Sequence, residues 1–367
     1  MNGNHRVPSG LTAHDRRGGW FAAISGEKRG SAASLERCAL AFLAILYRAA
    51  LATHNLAWRL LGSVKRAPCP VISVGNITVG GTGKTPMVAY LARLAAEMGR
   101  RPLILSRGYG GQAGRPNEEA RELQRLCPGV PHVQNPDRVR AMEEGLARNP
   151  CDLIILDDGF QHRRLARDLD IVLIDALQPF GFGRLLPCGL LREPLPALRR
   201  ADMVVITRAE LVDSGDLGRI KESVGRYVRP ETPILVAEHR PGSLVMLDGS
   251  RRETDWLRKQ DIAAACGIGN PEAFRCTLTS LGARIRLFEV FADHHAYTGA
   301  DLDRLIAAAA AAGCKTLVTT GKDYVKWQPL LEGQAAPGVE IAALEVELRV
   351  VEGEETLCQR LDAMLSA

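Results

Sequence analysis

Apolar residues in this chain follow two patterns. Short, nearly unbroken runs at Val71–Val74, Pro102–Leu105, Leu153–Leu156, Ile171–Ile174, Met203–Thr207 and Ile234–Ala237 are separated by longer mixed segments. Runs of this kind read as strands buried on both faces, and helices between them imply a mostly parallel sheet. A second series follows at Ile262–Cys266, Ile285–Val290, Thr316–Thr320 and Ile341–Val346, with helices expected at Glu272–Leu281 and Asp301–Ala312. Pro241-Gly242 is the natural linker. The expected division is a tail over 1–34, a helix within 35–66, an α/β domain over 67–240, and a smaller α/β domain over 241–367.

The N-terminal pattern differs. Residues 1–34 are rich in Gly, Ser, Arg and His without a periodic apolar face, and read as a largely disordered tail without the features of a secretory signal. Ser34 then reads as an N-cap for one long helix, Leu35–Leu61, stopped by Gly62. Cys38–Tyr47 is apolar throughout, whereas Arg37, Arg48, Asn55 and Arg59 fall within roughly 40° of one another on a helical wheel. Arg48 near the middle argues against a transmembrane span of ~20 apolar residues. A core helix and an interfacial helix both remain, and different faces can serve both.

Charge favours the interfacial reading. The net charge is +5, but residues 1–70 carry ten Lys/Arg against three Asp/Glu, a local surplus of seven, so the rest of the chain is slightly acidic. A basic N-terminus beside an apolar helix suits an anionic lipid surface better than a nucleic-acid groove. No protein partner is evident. The nine cysteines are dispersed with no C-x-x-C pair, which reads as reduced thiols rather than disulfides or a zinc site.

The chemistry concentrates after the first strand. Thr78, Val79, Gly80, Gly81, Thr82, Gly83, Lys84 and Thr85 form a glycine-rich turn leading to a helix expected to open at Pro86. A strand, a glycine loop and a helix N-terminus make an anion site. Lys84 then meets the β/γ-phosphates and the Thr85 hydroxyl ligates Mg²⁺. The loop departs from strict G-x-x-x-x-G-K-[ST] in having Thr78 where glycine is usual. Leu153–Leu156 delivers Asp157 and Asp158 to a strand end, as a Walker-B metal site requires. Gln161 and His162 follow with groups able to orient a nucleophile or phosphate.

Arg107, in Ser106-Arg107-Gly108-Tyr109-Gly110-Gly111, reads equally as a phosphate ligand or a surface arginine. Pro179–Leu191 looks like an apolar lid or acyl-contact surface ahead of Arg192. Thr207-Arg208-Ala209-Glu210 stands where a guanine-reading protein would carry Asn-Lys-x-Asp, so ATP is the default nucleotide. The expected fold is therefore a P-loop, Rossmann-like doubly wound α/β domain with ATP and Mg²⁺ as cofactors. A P-loop ATPase regulating a membrane-bound partner is the alternative function.

Together these motifs resemble one family, the tetraacyldisaccharide 4′-kinases. The run Gly75–Pro86, Ser106-Arg107-Gly108-Tyr109-Gly110, Asn135-Pro136-Asp137-Arg138, Asp157–His162, Leu191-Arg192-Glu193-Pro194, Asp293-His294 and Lys322-Asp323 match it in order from about residue 35 onward. The resemblance implies ATP-dependent phosphorylation of the 4′-hydroxyl of a lipid A disaccharide 1-phosphate precursor. It places the enzyme at the cytoplasmic face of the inner membrane, touched by the N-terminal helix. It carries over Lys84, Thr85, Asp157 and Asp158 in the roles above, while Arg107, Gln161, His162 and Arg192 are candidates for substrate binding on their own residue chemistry. It also implies His294 as partner of a catalytic carboxylate. The family's aspartate of an Asp-Glu pair is matched here by Glu118-Glu119, which makes Glu118 the expected base.

Overall fold

The computed structural model describes residues 18–108, 118–269, 271–292, 295–331 and 338–366. Helices α1 (Gly18–Ser25) and α2 (Ser31–Leu61) come first. Part of the segment expected to be a tail is thus helical. Helix α2 starts ahead of the expected cap: Gly30 precedes it, and the Ser34 hydroxyl donates to the Gly30 carbonyl at 3.1 Å from within the first turn. Gly62 ends it, its N–H bonded to the Trp58 carbonyl at 2.8 Å.

The chain continues through β1 (Val71–Asn76), α3 (Lys84–Glu97), β2 (Pro102–Ser106), α4 (Glu118–Leu126), β3 (His132–Gln134) and α5 (Arg138–Arg148). Next come β4 (Leu153–Asp157), β5 (Leu169–Asp175), β6 (Met203–Thr207), α6 (Ser214–Gly225) and β7 (Ile234–Met246). Strands pair in the order β7-β6-β5-β1-β4-β2-β3, and every pairing among them is parallel. Alternate strand residues face opposite ways. Ile72, Val74, Ile104, Ile155 and Leu173 pack under α3 and α4. Val71, Leu103, Leu105, Ile154 and Leu156 pack under α5, and Val172, Ile174, Val204 and Ile206 under α6. The doubly wound reading holds because both faces of these strands are buried.

The second compact unit takes in Pro241–Val346 and, of the described N-terminal residues, 18–22. It holds β8 (Arg251–Glu253), β9 (Asp261–Cys266), α7 (Pro271–Ser280), β10 (Arg284–Val290), α8 (Gly299–Ala311), β11 (Thr316–Thr320), α9 (Gly321–Leu331) and most of β12 (Glu340–Glu352). Parallel β10-β9-β11-β12 is covered by α8 and α9 on one face and α7 on the other. Strands β7 and β12 both run past their expected ends. Residues Glu347–Ala367, expected in the smaller domain, group with the first unit. There Leu357, Leu361 and Leu365 of α10 (Glu354–Ser366) join the α3 core.

Helix α2 is covered along one stripe only: Leu40, Ala44, Tyr47, Leu51, Asn55 and Trp58 are half-buried. Leu35 (74% exposed), Phe42 (62%), Ile45 (64%), Leu56 (56%) and Leu60 (73%) point away from it. Arg48 and Arg59 lie beside the covered stripe, at its border with the apolar face. Among the described residues no helix is long and apolar enough to cross a membrane.

Candidate active site

The glycine turn folds as phosphate binding needs. Gly83 adopts φ +83°, a left-handed conformation open to glycine at little cost, and α3 then opens at Lys84. The helix starts ahead of Pro86, which falls in the first turn, where a missing N–H costs nothing. The turn is clamped on both sides. Asn76 donates from Nδ2 to Thr82 Oγ1 at 3.0 Å, and Thr207 donates to the Thr82 carbonyl at 2.9 Å. His239, midway along β7, backs the loop: a Cβ on Gly83 would lie 2.8 Å from its Nε2.

Thr78 is buried, and it bridges to Leu191 in antiparallel fashion. Val79 N–H donates to the Leu190 carbonyl at 2.8 Å and Arg192 N–H to the Ile77 carbonyl at 2.7 Å. The apolar segment read as a lid or acyl-contact surface lies as a strap along the phosphate loop. Its Cys188, Leu190 and Leu191 are buried, because leucines facing the Ile77–Phe160 core are better removed from water than left over a cleft.

In-register pairing of β1 with β4 sets Asp157 opposite Val74. Asp157 is buried and its Oδ1 has no protein partner among the described residues. Burial, with the charges of Glu119 and Asp158, pushes its carboxyl up to about 7 against the pull of Lys84 and Arg138. Asp158 goes the other way. Burial would raise it, but Lys84 and Arg192 outweigh that and hold it below the usual carboxylate range. Lys84 Nζ stands 3.6 Å from Asp158 Oδ1, and Arg192 Nη1 donates to Oδ1 at 3.1 Å and Oδ2 at 2.9 Å. Adjacent carboxylates thus have separated proton affinities, a common arrangement where chemistry is done.

Lys84, Asp157, Asp158 and Arg192 therefore come together. Thr85 follows Lys84 in the first turn of α3. Gln161 faces inward and ties the loop together, donating to the Asn76 carbonyl at 2.9 Å and to Glu193 Oε1 at 3.2 Å. His162 is held largely by its surroundings, with a buried Nε2 that has no protein partner. Arg107 is exposed at the end of β2. Glu118 opens α4, with its side chain outside the described residues, and His294 lies outside them entirely.

Two groups were not foreseen. Arg138 is buried beneath the carboxylates, with Nη1 on the Asn135 carbonyl at 2.9 Å and Nη2 on the Asp157 carbonyl at 3.1 Å. Only its place in Asn135-Pro136-Asp137-Arg138 signalled it, since arginine otherwise reads as surface. Glu193 is also buried, held by Arg200 at 2.7 and 2.9 Å, and Arg200 stacks over Phe160 at 4.2 Å.

A parallel sheet with a clamped glycine loop, a lysine at a helix N-terminus and paired carboxylates at the neighbouring strand's end defines a P-loop nucleotide-binding protein. Residues 36–366 match the family model for tetraacyldisaccharide-1-P 4′-kinase, and the chain belongs to that family. It is 42% identical over 315 residues to the tetraacyldisaccharide 4′-kinase of Syntrophus aciditrophicus, covering 78% of this chain and 81% of that one. The enzyme of the same name from Anaeromyxobacter dehalogenans is 37% identical over 351 residues, covering 90% and 91%. The crystal structure of LpxK from Aquifex aeolicus in complex with ATP superposes with a TM-score of 0.71 at 29% identity, over 90% of this chain and 99% of that one. Membership in a kinase family removes the alternative of a regulatory ATPase.

Three half-buried histidines give the fold an acid limit. Burial, reinforced by nearby arginines, pushes His132, His162 and His239 each down to about 4 from 6.5. Below 6.5 the unfolded chain takes up protons that the native state refuses. The stabilisation is therefore whole above 6.5 and lost as pH falls toward 4. Thermal melts are expected to show Tm dropping across that window, and less steeply in His132→Gln. A Tm flat from pH 7 to 4.5 would contradict this.

Proposed function

We propose that this chain transfers the γ-phosphoryl group of Mg²⁺·ATP to the 4′-hydroxyl of a tetraacylated disaccharide 1-phosphate at a membrane surface. The observation that carries the reading is the Lys84–Asp158–Arg192 constellation at the mouth of the clamped glycine loop. Backbone N–H groups of Gly80–Lys84 and the dipole of α3 favour the donor's phosphates. Lys84 supplies the full positive charge that meets negative charge building on the transferred group.

The donor set fits magnesium: hard carboxylate oxygens from Asp157 and Asp158, the Thr85 hydroxyl, and a buried Asp157 Oδ1 with no protein partner. When bound there, the ion neutralises phosphate oxygens and aligns the donor. Lys84→Ala is expected to lower transfer from γ-labelled ATP to the lipid acceptor by at least a hundredfold, since a charge of this kind contributes ~3 kcal/mol or more. Near-normal turnover would remove the assignment.

A sugar hydroxyl attacks well only if a carboxylate takes its proton. Glu118 and Glu119 open α4, and the charge of Glu119 already bears on Asp157. Glu118 is retained as the base on the resemblance, with Glu119 as the rival. Glu118→Gln is expected to cut kcat by ~10²–10⁴ while ATP still binds. Glu119→Gln run beside it decides: wild-type turnover in the first with collapse in the second moves the base to Glu119.

For the membrane, α2 offers an outward apolar face bordered by Arg48 and Arg59. That order of groups suits a helix lying in the head-group layer, with apolar side chains below and guanidiniums at the phosphates. Phe42→Glu is expected to weaken sedimentation with anionic vesicles while leaving Tm unchanged. Undiminished binding would show that α2 is not the contact.

A further inference from the structure

We infer that Tyr47, on the covered stripe of α2, is a positioning residue for phosphoryl transfer: it fixes the main chain of Arg192, whose guanidinium holds Asp158. The Tyr47 hydroxyl donates to the Arg192 carbonyl at 2.9 Å, across 145 residues of sequence. Among the described residues this is the one side-chain hydrogen bond that α2 makes outside residues 28–62. The inference rests on the reading of Asp158 as part of the phosphate site.

Arg192 is held at three points. Its N–H is bonded to Ile77 in the phosphate loop, its carbonyl accepts from Tyr47, and its side chain grips both Asp158 oxygens. The first two fix where the Cα sits and which way the side chain leaves. The third needs that placement, because Nη1 must come within 3.1 Å of both carboxylate oxygens at once. The next residue, Glu193, is buried and clasped by Arg200, so the strap turns inward immediately after the contact. Asp158 itself sits at φ +53°, an uncommon backbone conformation for a residue with a side chain, which the surrounding bonds must hold. Tyr47 thus lies three contacts from Lys84, along Tyr47–Arg192–Asp158–Lys84.

Helix α2 is then more than an anchor. Its outer face is apolar and exposed, while the opposite stripe props the strap that carries Arg192. Removing the hydroxyl while keeping the ring leaves the packing and frees only the Arg192 carbonyl.

The test uses the full chain with Mg²⁺·ATP and tetraacyl disaccharide 1-phosphate in anionic vesicles, with Tyr47→Phe and Arg192→Ala made singly and together. Tyr47→Phe is expected to lower kcat about fivefold, the scale of one hydrogen bond felt at the transition state. KM for ATP, vesicle binding and Tm should stay at wild-type values. In the Arg192→Ala background the same change should alter kcat less than twofold, because the path to Asp158 is already cut. Wild-type kcat in Tyr47→Phe, an equal loss in both backgrounds, or a loss that follows release from vesicles would each overturn the inference. Failure of the underlying reading shows separately, as wild-type turnover in Asp158→Asn.

Discussion

Two adjacent carboxylates at the end of a buried strand set the terms for the rest of this site. Strand β4 is apolar throughout until Asp157, so the sheet delivers the pair into a poorly hydrated place. An isolated buried carboxylate costs several kcal/mol and would otherwise take up a proton. The chain answers with cations from separate elements: Lys84 from the phosphate loop, Arg192 from the strap, and Arg138 from α5. The compensation is uneven. Asp158 receives two direct partners and stays ionised, whereas Asp157 has Arg138 only on its main-chain carbonyl and is pushed toward neutrality. One oxygen is thus left available without being tied up by the protein, which a site for a hard cation and a polyphosphate requires.

Much of this was legible from the residues. Parallel strands buried on both faces declare themselves as apolar runs, and β1, β2, β4, β5, β6, β9 and β11 lie where such runs fall. Strand β3 did not, because His132-Val133-Gln134 is short and polar at its ends, and its existence depends on pairing beside β2. The return of Glu347–Ala367 to the first unit was also invisible. Leu357, Leu361 and Leu365 mark an amphipathic helix but carry no sign of which core receives it. Carboxylates and lysine in the site followed from spacing. Their partners did not, since an arginine in a loop looks alike whether it faces solvent or, as Arg138 does, lies buried beneath the strand end.

The helix ahead of the sheet illustrates a different limit. Its composition fits a core helix and a surface one equally, and the outcome is a division by face. A stripe at three- and four-residue intervals from Leu40 to Trp58 is covered, and the remainder is exposed leucine, isoleucine and phenylalanine. A contiguous apolar surface of that kind marks an interaction site. The arginines border the covered stripe rather than occupying the outermost line. That order of groups suits the proposed contact of α2 with a lipid surface.

The departure at Thr78 follows from the strap. Where the usual first glycine of a phosphate loop stands, this chain forms a β-bridge to Leu191, flanked by hydrogen bonds from Val79 and Arg192. A β-branched residue in extended backbone suits such a pairing better than glycine, which would add chain entropy and pack nothing. Glycine is required nearby for another reason. A Cβ on Gly75 would come within 2.5 Å of Phe160 Cβ and 2.8 Å of its N, so only glycine lets the turn after Asp158 close over β1. The same sequence region thus spends one glycine on bringing the carboxylate turn close, and gives up another to bind the strap. Both choices place Asp158 and Arg192 within reach of each other, and with them the middle of α2 through Tyr47.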